Sequence, residues 1–298
     1  MMTRFVTWIR LNIDGVVTLV VAATAIVVEA FDKFANPNAV SGATLLVLSL
    51  LALTLLRDRN RTSRLVRELA AVRLLHGAEI DQAHARARRD TDNWIYKGGT
   101  GTYLRAVTLP YFLGRARDES HLLNLRVEVL DPGNEQLCLA DAQYRNSLQP
   151  QGDISGRPWT PDRIRKQSYA TVLACAWYRQ QSEFLTVELG LSSTLSTYRW
   201  DMSDNVVIMN QRGSKTPALL FERGKSQYSD FTRELAVSFK QARPVQLSRD
   251  ADLRPPSEPT IGQVRRLLES LGLPLPAVYT DEDVIEIVEY ALHPVTTF

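Results

Sequence analysis

Two apolar runs near the N-terminus dominate the hydropathy pattern. They read IDGVVTLVVAATAIVVEAF at 13–31 and AVSGATLLVLSLLALTLL at 39–56. Each is close to the roughly 20 residues a helix needs to cross the hydrocarbon of a bilayer. The second carries no charge, whereas the first has Asp14 and Glu29 near its ends. Arg4 and Arg10 ahead of the first run also suit a cleaved signal peptide, but Glu29, Asp32 and Lys33 stand where small residues of a cleavage site belong, which favours a retained helix. A polar turn at 32–38 containing Pro37 joins the runs, so residues 1–61 are expected to form a two-helix transmembrane hairpin.

Arg4 and Arg10 precede this hairpin and Arg57, Arg59, Arg61, Arg64 and Arg67 follow it, against Lys33 in the turn. The positive-inside bias then places both termini in the cytoplasm, in a multi-pass protein of the inner (plasma) membrane whose first partner is the lipid bilayer. Residues 62–90 lack proline and place Leu65, Leu69, Val72 and Leu75 at helical spacing, predicting a helical stalk. Its narrow stripe suits either a homo-oligomeric seam through 13–31, 39–56 and 62–80 or packing on the following domain.

Beyond Asn93 the period changes. A short strand at Trp94–Tyr96 leads through a Gly-rich turn to a helix over 103–117, then to a strand at 125–131 and a helix over 135–148. Strand and helix in alternation predict a parallel α/β sheet. A loop at 149–161, a helix over 162–181, strands at 184–190, 197–200, 205–210 and 217–222, and a helix over 228–242 complete an α/β domain at 91–246. Residues 247–259 read as a linker. The remainder, 260–298, reads as a helical hairpin, its helices opened by Thr260 with Gln263 and by Thr280 with Asp283. That hairpin either packs on the main domain or offers a face to a partner.

Composition narrows the chemistry. A formal charge of +2 gives no global nucleic-acid signature, so no nucleic-acid partner is expected. The basic run His84, Arg86, Arg88, Arg89 lacks interleaved aromatics and reads as a solvated helix face. Cys138 and Cys175 lie in apolar helical stretches, and His76, His84, His121 and His293 form no ligand pair, so neither a metal nor a cofactor is expected.

Four constellations remain. Lys97, Gly98, Gly99, Thr100 and Gly101 between a strand and a helix could cradle a phosphate at the helix N-terminus, or simply form a tight turn. Gly224-Lys225-Ser226 also joins a strand to a helix; with Leu219 where a phosphate loop needs glycine, an ATPase is rejected, but Lys225 could still meet an anion. Asp131 ends a strand on the edge where open α/β sheets place ligands. Arg199, Asp201, Ser203 and Asp204 leave one strand for the next. Asp201 and Asp204 could do acid/base work there, or cap a hairpin turn.

Across 94–245 the layout resembles a degenerate phospholipase-D-like domain: the Gly-rich turn, VEVLDP, TYRWDMSDNVVIMN and YSDFTRELAVSFKQARPV. Active members of that family carry H-x-K followed by aspartate. Here Tyr198, Arg199, Trp200, Asp201, Met202, Ser203, Asp204 stand in that stretch without histidine or lysine, so the resemblance implies a missing nucleophile. Two membrane helices before a cytosolic α/β domain also look like the layout of bacterial conflict effectors.

The expected function is therefore a membrane-anchored bacterial sensor or effector. Its α/β domain would bind an anionic or nucleotide-like ligand, or a partner, through Lys97, Gly98 to Gly101, Asp131 and Lys225. The alternatives are a tethered phosphodiesterase or hydrolase using Asp201 and Asp204 with Asp131 and Lys97, and a non-catalytic scaffold.

Overall fold

The computed structural model describes residues 72–152, 156–211, 216–247 and 258–294, with isolated helical positions between 48 and 59. The chain divides into two units, 1–70 and 71–298. Among the described residues no helix is long and apolar enough to cross a membrane. The runs expected to span, 13–31 and 39–56, lie outside the described residues save for those isolated positions.

The second unit is of mixed α/β type. Its eight-stranded sheet has the order β1-β7-β6-β5-β2-β3-β4-β8, with β1 at Arg73–Leu75, β2 at Asn93–Lys97, β3 at Leu123–Leu130, β4 at Leu185–Ser192, β5 at Tyr198–Met202, β6 at Val206–Gln211, β7 at Ala218–Glu222 and β8 at Arg243–Val245. Strands β2, β3 and β4 run parallel, as the strand–helix alternation predicts; all other pairings are antiparallel. The helices are α1 (Ala78–Arg89), α2 (Leu109–Glu119), α3 (Glu135–Leu148), α4 (Pro161–Gln180), α5 (Ser226–Gln241), α6 (Ile261–Ser270) and α7 (Asp281–Leu292). A π-helical turn, Leu104–Thr108, leads into α2.

Side-chain alternation sends the two faces of the sheet to different cores. Trp94, Tyr96, Val127, Val129 and Ile208 join α2 and α4 in the larger one. Ile95, Met202, Val207 and Phe221 meet Leu235 and Phe231 of α5 on the other. Helix α4, capped by Thr160 on the Arg163 amide and started by Pro161, is buried along most of its length.

Residues 62–90 do not form one continuous helical stalk. Arg73–Leu75 pairs with β7 as an edge strand, and Leu75 is buried in the larger core. Gly77, at φ 50°, then turns the chain in a conformation that costs glycine little, and α1 begins only after it. Of the stripe Leu65, Leu69, Val72 and Leu75, the first two lie outside the described residues, and Leu75 belongs to a strand.

The C-terminal hairpin packs into the domain. Both of its helices open with reciprocal capping boxes, at Thr260 with Gln263 and at Thr280 with Asp283. Val264, Leu267, Leu268, Val284, Ile287 and Ala291 enter the same core as α4. Lys166 of α4 meets Asp162 at 3.2 Å, Asp283 at 2.5 Å and Glu286 at 2.8 Å. Burial disfavours the charge of Lys166, but these carboxylates outweigh it and raise its pKa.

Leu268 has no solvent exposure. Leu268→Ala is expected to lower the stability of the whole unit by about 2–5 kcal/mol, seen as a shift of a single urea transition. A hairpin folding by itself would instead split off a separate early transition.

Candidate functional site

The sheet register brings polar side chains together under α1. Tyr96 stands opposite Asp201, and Arg199 opposite Asn210, so Arg199, Asp201 and Asn210 share the face of the larger core, where apolar residues are the norm. Helix α1 lies over this patch with little apolar surface of its own. Its buried residues are His84, Ala87 and Arg88, and His84 and Arg88 are one turn apart. Trp94 of β2 and Tyr103, next to the π-helical turn, close the cluster. Such π insertions in helices often accompany functional sites.

The hydrogen bonds fix the state of His84. Arg199 Nη2 lies 2.8 Å from His84 Nε2, and the Asn210 amide nitrogen lies 3.0 Å from the same atom. A guanidinium only donates, so Nε2 accepts and the ring proton sits on Nδ1. Nδ1 in turn is 3.9 Å from Asp201 Oδ2. Burial, reinforced by Arg199 and Arg88, holds the His84 pKa well below its ordinary value, so the 3.9 Å contact joins a neutral imidazole to a carboxylate and is no ion pair.

Asp201 is fully buried. Arg199 Nε is 2.7 Å from its Oδ2, close but out of line for a hydrogen bond, and neither carboxylate oxygen accepts an aligned hydrogen bond among the described residues. Burial pushes the Asp201 carboxyl up, against the pull of Arg199. Arg88, only 7% exposed, donates from Nη1 to the Tyr103 hydroxyl at 2.8 Å and lies 5.6 Å from the ring centres of Tyr103 and Tyr111. Its Nε has no acceptor, and among the described residues no carboxylate pairs with it. Arg199 stacks on the other contact of this ring system, 4.3 Å from the Tyr103 centre. Two guanidiniums thus face one carboxylate in a site that water barely reaches.

This arrangement is poor for catalysis and good for holding an anion. A histidine whose Nε2 faces two donors, with its Nδ1 beyond hydrogen-bond range of the aspartate, cannot work as a general base in the manner of a triad. Surplus buried cationic charge, by contrast, is costly until a negative group joins it.

The residues singled out in the sequence do not converge. Lys97 turns toward α5, bonding Ser238 Oγ and lying 3.5 Å from Glu128, which Ser238 also contacts at 2.8 Å. Gly98, Gly99, Thr100 and Gly101 are buried, and their turn is held from within. Gly101, at φ 71°, abuts Thr171, and the Thr100 carbonyl accepts from Arg105 and from the Thr171 hydroxyl at 2.6 Å. Arg105 Nε also reaches the Tyr290 carbonyl at 2.8 Å, and burial lowers its pKa to about 10. A turn whose Thr100 carbonyl is held by a buried guanidinium is a structural clamp.

Asp131 does share an edge with that turn, since the Leu130 amide bonds the Gly99 carbonyl at 3.1 Å. Its carboxylate is engaged by Arg243 of β8 at 3.0 Å and by the Gly133 amide at 2.8 Å. Lys225 precedes α5, its amide closing a turn onto Glu222 at 3.2 Å. Asp201 and Asp204 do not act together, because Asp201 belongs to β5 while Asp204 occupies the turn beyond it. Asp204 accepts from the Thr91 hydroxyl at 2.7 Å, the Asp92 amide at 3.1 Å and the Asn93 side chain at 3.1 Å. Burial raises its pKa, but these bonds outweigh that and hold it low.

His84, Arg88, Trp94, Tyr103 and Asn210 were not singled out, although His84 and Arg88 did appear in the basic run read as a solvated face. One signal was present: Arg199 and Asp201 alternate within a strand on the face where its neighbours Tyr96 and Ile208 are buried.

No family model matches the chain, and no curated protein does. Among solved structures it is similar to TrmBL2, an archaeal chromatin protein with a novel mode of DNA binding, at 8% identity over 70% of each chain and a TM-score of 0.34. The expectation of no nucleic-acid partner, drawn from net charge, stands against this neighbour's DNA binding and is not carried further. A likeness this slight carries no argument for DNA binding either.

A His pKa lowered on folding contributes stability above the unfolded value, near 6.5, that is lost as pH falls through it. Asp201, raised on folding, acts in the opposite sense at lower pH. His84→Gln isolates the first effect. Its destabilisation relative to wild type is expected to shrink as pH falls from about 7 to 5 in urea titrations. A difference that stays constant, or grows, would contradict a neutral His84.

Proposed function

We propose that the α/β domain is a ligand-recognition module without catalytic activity, which binds an anionic group at Arg88 and Arg199 beneath α1. The observation that carries this reading is Arg88: a buried guanidinium with one neutral hydroxyl as hydrogen-bond partner and an unused Nε donor. Arginine is suited to such sites because its fork of donors matches carboxylate and phosphate oxygens. Arg199, less deeply buried than Asp201, supplies the opening toward solvent. The apolar runs at 13–31 and 39–56 support a further part of the reading: the module is carried on a membrane-anchored chain, as a sensor or effector that acts through those helices.

The test is titration of the whole chain, in mild detergent, with sulfate and with a panel of nucleotides. Arg88→Met, which keeps the aliphatic stem, is expected to weaken anion binding at least tenfold, the loss of about 1.4 kcal/mol or more that a charge-assisted hydrogen bond represents. Lys97→Met is the contrast. It should leave anion binding unchanged and lower stability, by about 3 kcal/mol if Glu128 is left as an unpaired buried charge. Equal loss of binding in both variants, or in Lys97→Met alone, would return the site to the Gly-rich edge.

A further inference from the structure

The Arg88 and Arg199 cluster contains a feature that a plain anion pocket does not need: a fully buried carboxylate of its own. We propose that Asp201 is an internal counter-ion which an incoming anion supplants, and that anion binding at Arg88 and Arg199 is coupled to the uptake of one proton by Asp201. This rests on the anion-recognition reading above.

Geometry makes Asp201 the rival of any ligand. Its Oδ2 lies 2.7 Å from Arg199 Nε, the atom an entering oxyanion would also seek. It holds that place by proximity and charge, with Arg199 and Trp94 both drawing on its oxygens but neither in strict hydrogen-bond alignment. An entering anion would bring a second negative charge into a dry site beside the first. Two anions sharing such a site cannot both stay ionised, so one of them takes a proton.

The neighbours leave Asp201 as the group that does so. From α1, His84 is already a hydrogen donor at Nδ1, and its Nε2 faces Arg199 and Asn210; a proton added there would place three donors against one another. Arg88, also from α1, and Arg199 from β5 remain charged. From β2, Trp94 only donates, and Tyr96 stands opposite Asp201 as a neutral phenol. Tyr103 is a phenol whose pKa burial raises. From β6, Asn210 does not titrate and Ile208 is apolar. The proton comes from solvent and ends on the Asp201 carboxylate, which becomes an acid able to donate to the ligand. Burial has already moved this carboxyl toward its neutral form.

Sulfate is the probe, because it keeps its charge between about pH 5 and 8 and cannot itself supply the proton change. Binding to the full chain is measured calorimetrically in buffers of different ionisation enthalpy. The expected result is uptake approaching one proton per sulfate, with affinity falling up to about tenfold per pH unit above the apparent carboxyl pKa. Asp201→Asn should bind sulfate more tightly, without proton uptake. His84→Gln should keep the uptake.

If wild type binds sulfate with no proton uptake and no pH dependence while Arg88→Met abolishes binding, the coupling is overturned and the anion site stands. Uptake that survives in Asp201→Asn but vanishes in His84→Gln overturns it as well. If wild type binds no sulfate, the site and the coupling fall together. Should Asp201→Asn not fold, the wild-type proton count and His84→Gln still decide the matter.

Discussion

A guanidinium can be buried at modest cost only when its donors all find acceptors, and this domain buries two with opposite outcomes. Arg105 is satisfied. Its Nε and Nη1 atoms gather the carbonyls of Tyr290, Thr100 and Gln167 and the Thr171 hydroxyl, so that one side chain ties the Gly-rich turn, α4 and the C-terminal hairpin into one body. Arg88 is not: it has the Tyr103 hydroxyl and two aromatic faces, and its Nε is unused. The first arrangement builds the fold. The second leaves a buried positive charge on the inner face of α1.

This contrast explains why the glycine-rich edge misleads. At the C-terminal ends of parallel strands, glycines before a helix commonly free amides for a phosphate. Here Gly101 serves close packing on Thr171, and the Thr100 carbonyl faces inward onto Arg105. Asp131 on the same edge is engaged by Arg243, and Lys97 faces the opposite side of the sheet, toward Ser238 and Glu128. Neighbours in sequence, Lys97 and Gly98 to Gly101 serve separate structural tasks.

The long elements were legible because each obeys one period. The alternation in β3 and β4, the amphipathic stripe of α5 and the capping boxes of α6 and α7 could all be read directly from residue spacing. Strands β1 and β8 are three residues each, and β8 contains Pro244, so neither carries a periodic signal; their pairing with β7 and β4 is a tertiary fact. The cluster was illegible for a related reason. His84 and Asp201 are far apart in the chain, and only the placement of α1 over β5 and β6 joins them. A basic helix such as α1 ordinarily faces solvent, and Arg86 and Arg89 do, which hid the fact that His84 and Arg88 point the other way.

Everything proposed for this domain turns on an anion site at Arg88 and Arg199. It is tested most directly by diffraction from crystals grown in selenate, whose anomalous signal locates the anion without any assumption about the ligand. A selenate is expected within hydrogen-bond distance of Arg88 Nε and the Arg199 guanidinium. Selenate bound at the turn from Gly98 to Gly101 and absent from the Arg88 and Arg199 cluster, in crystals that bind it elsewhere, would contradict an anion site there.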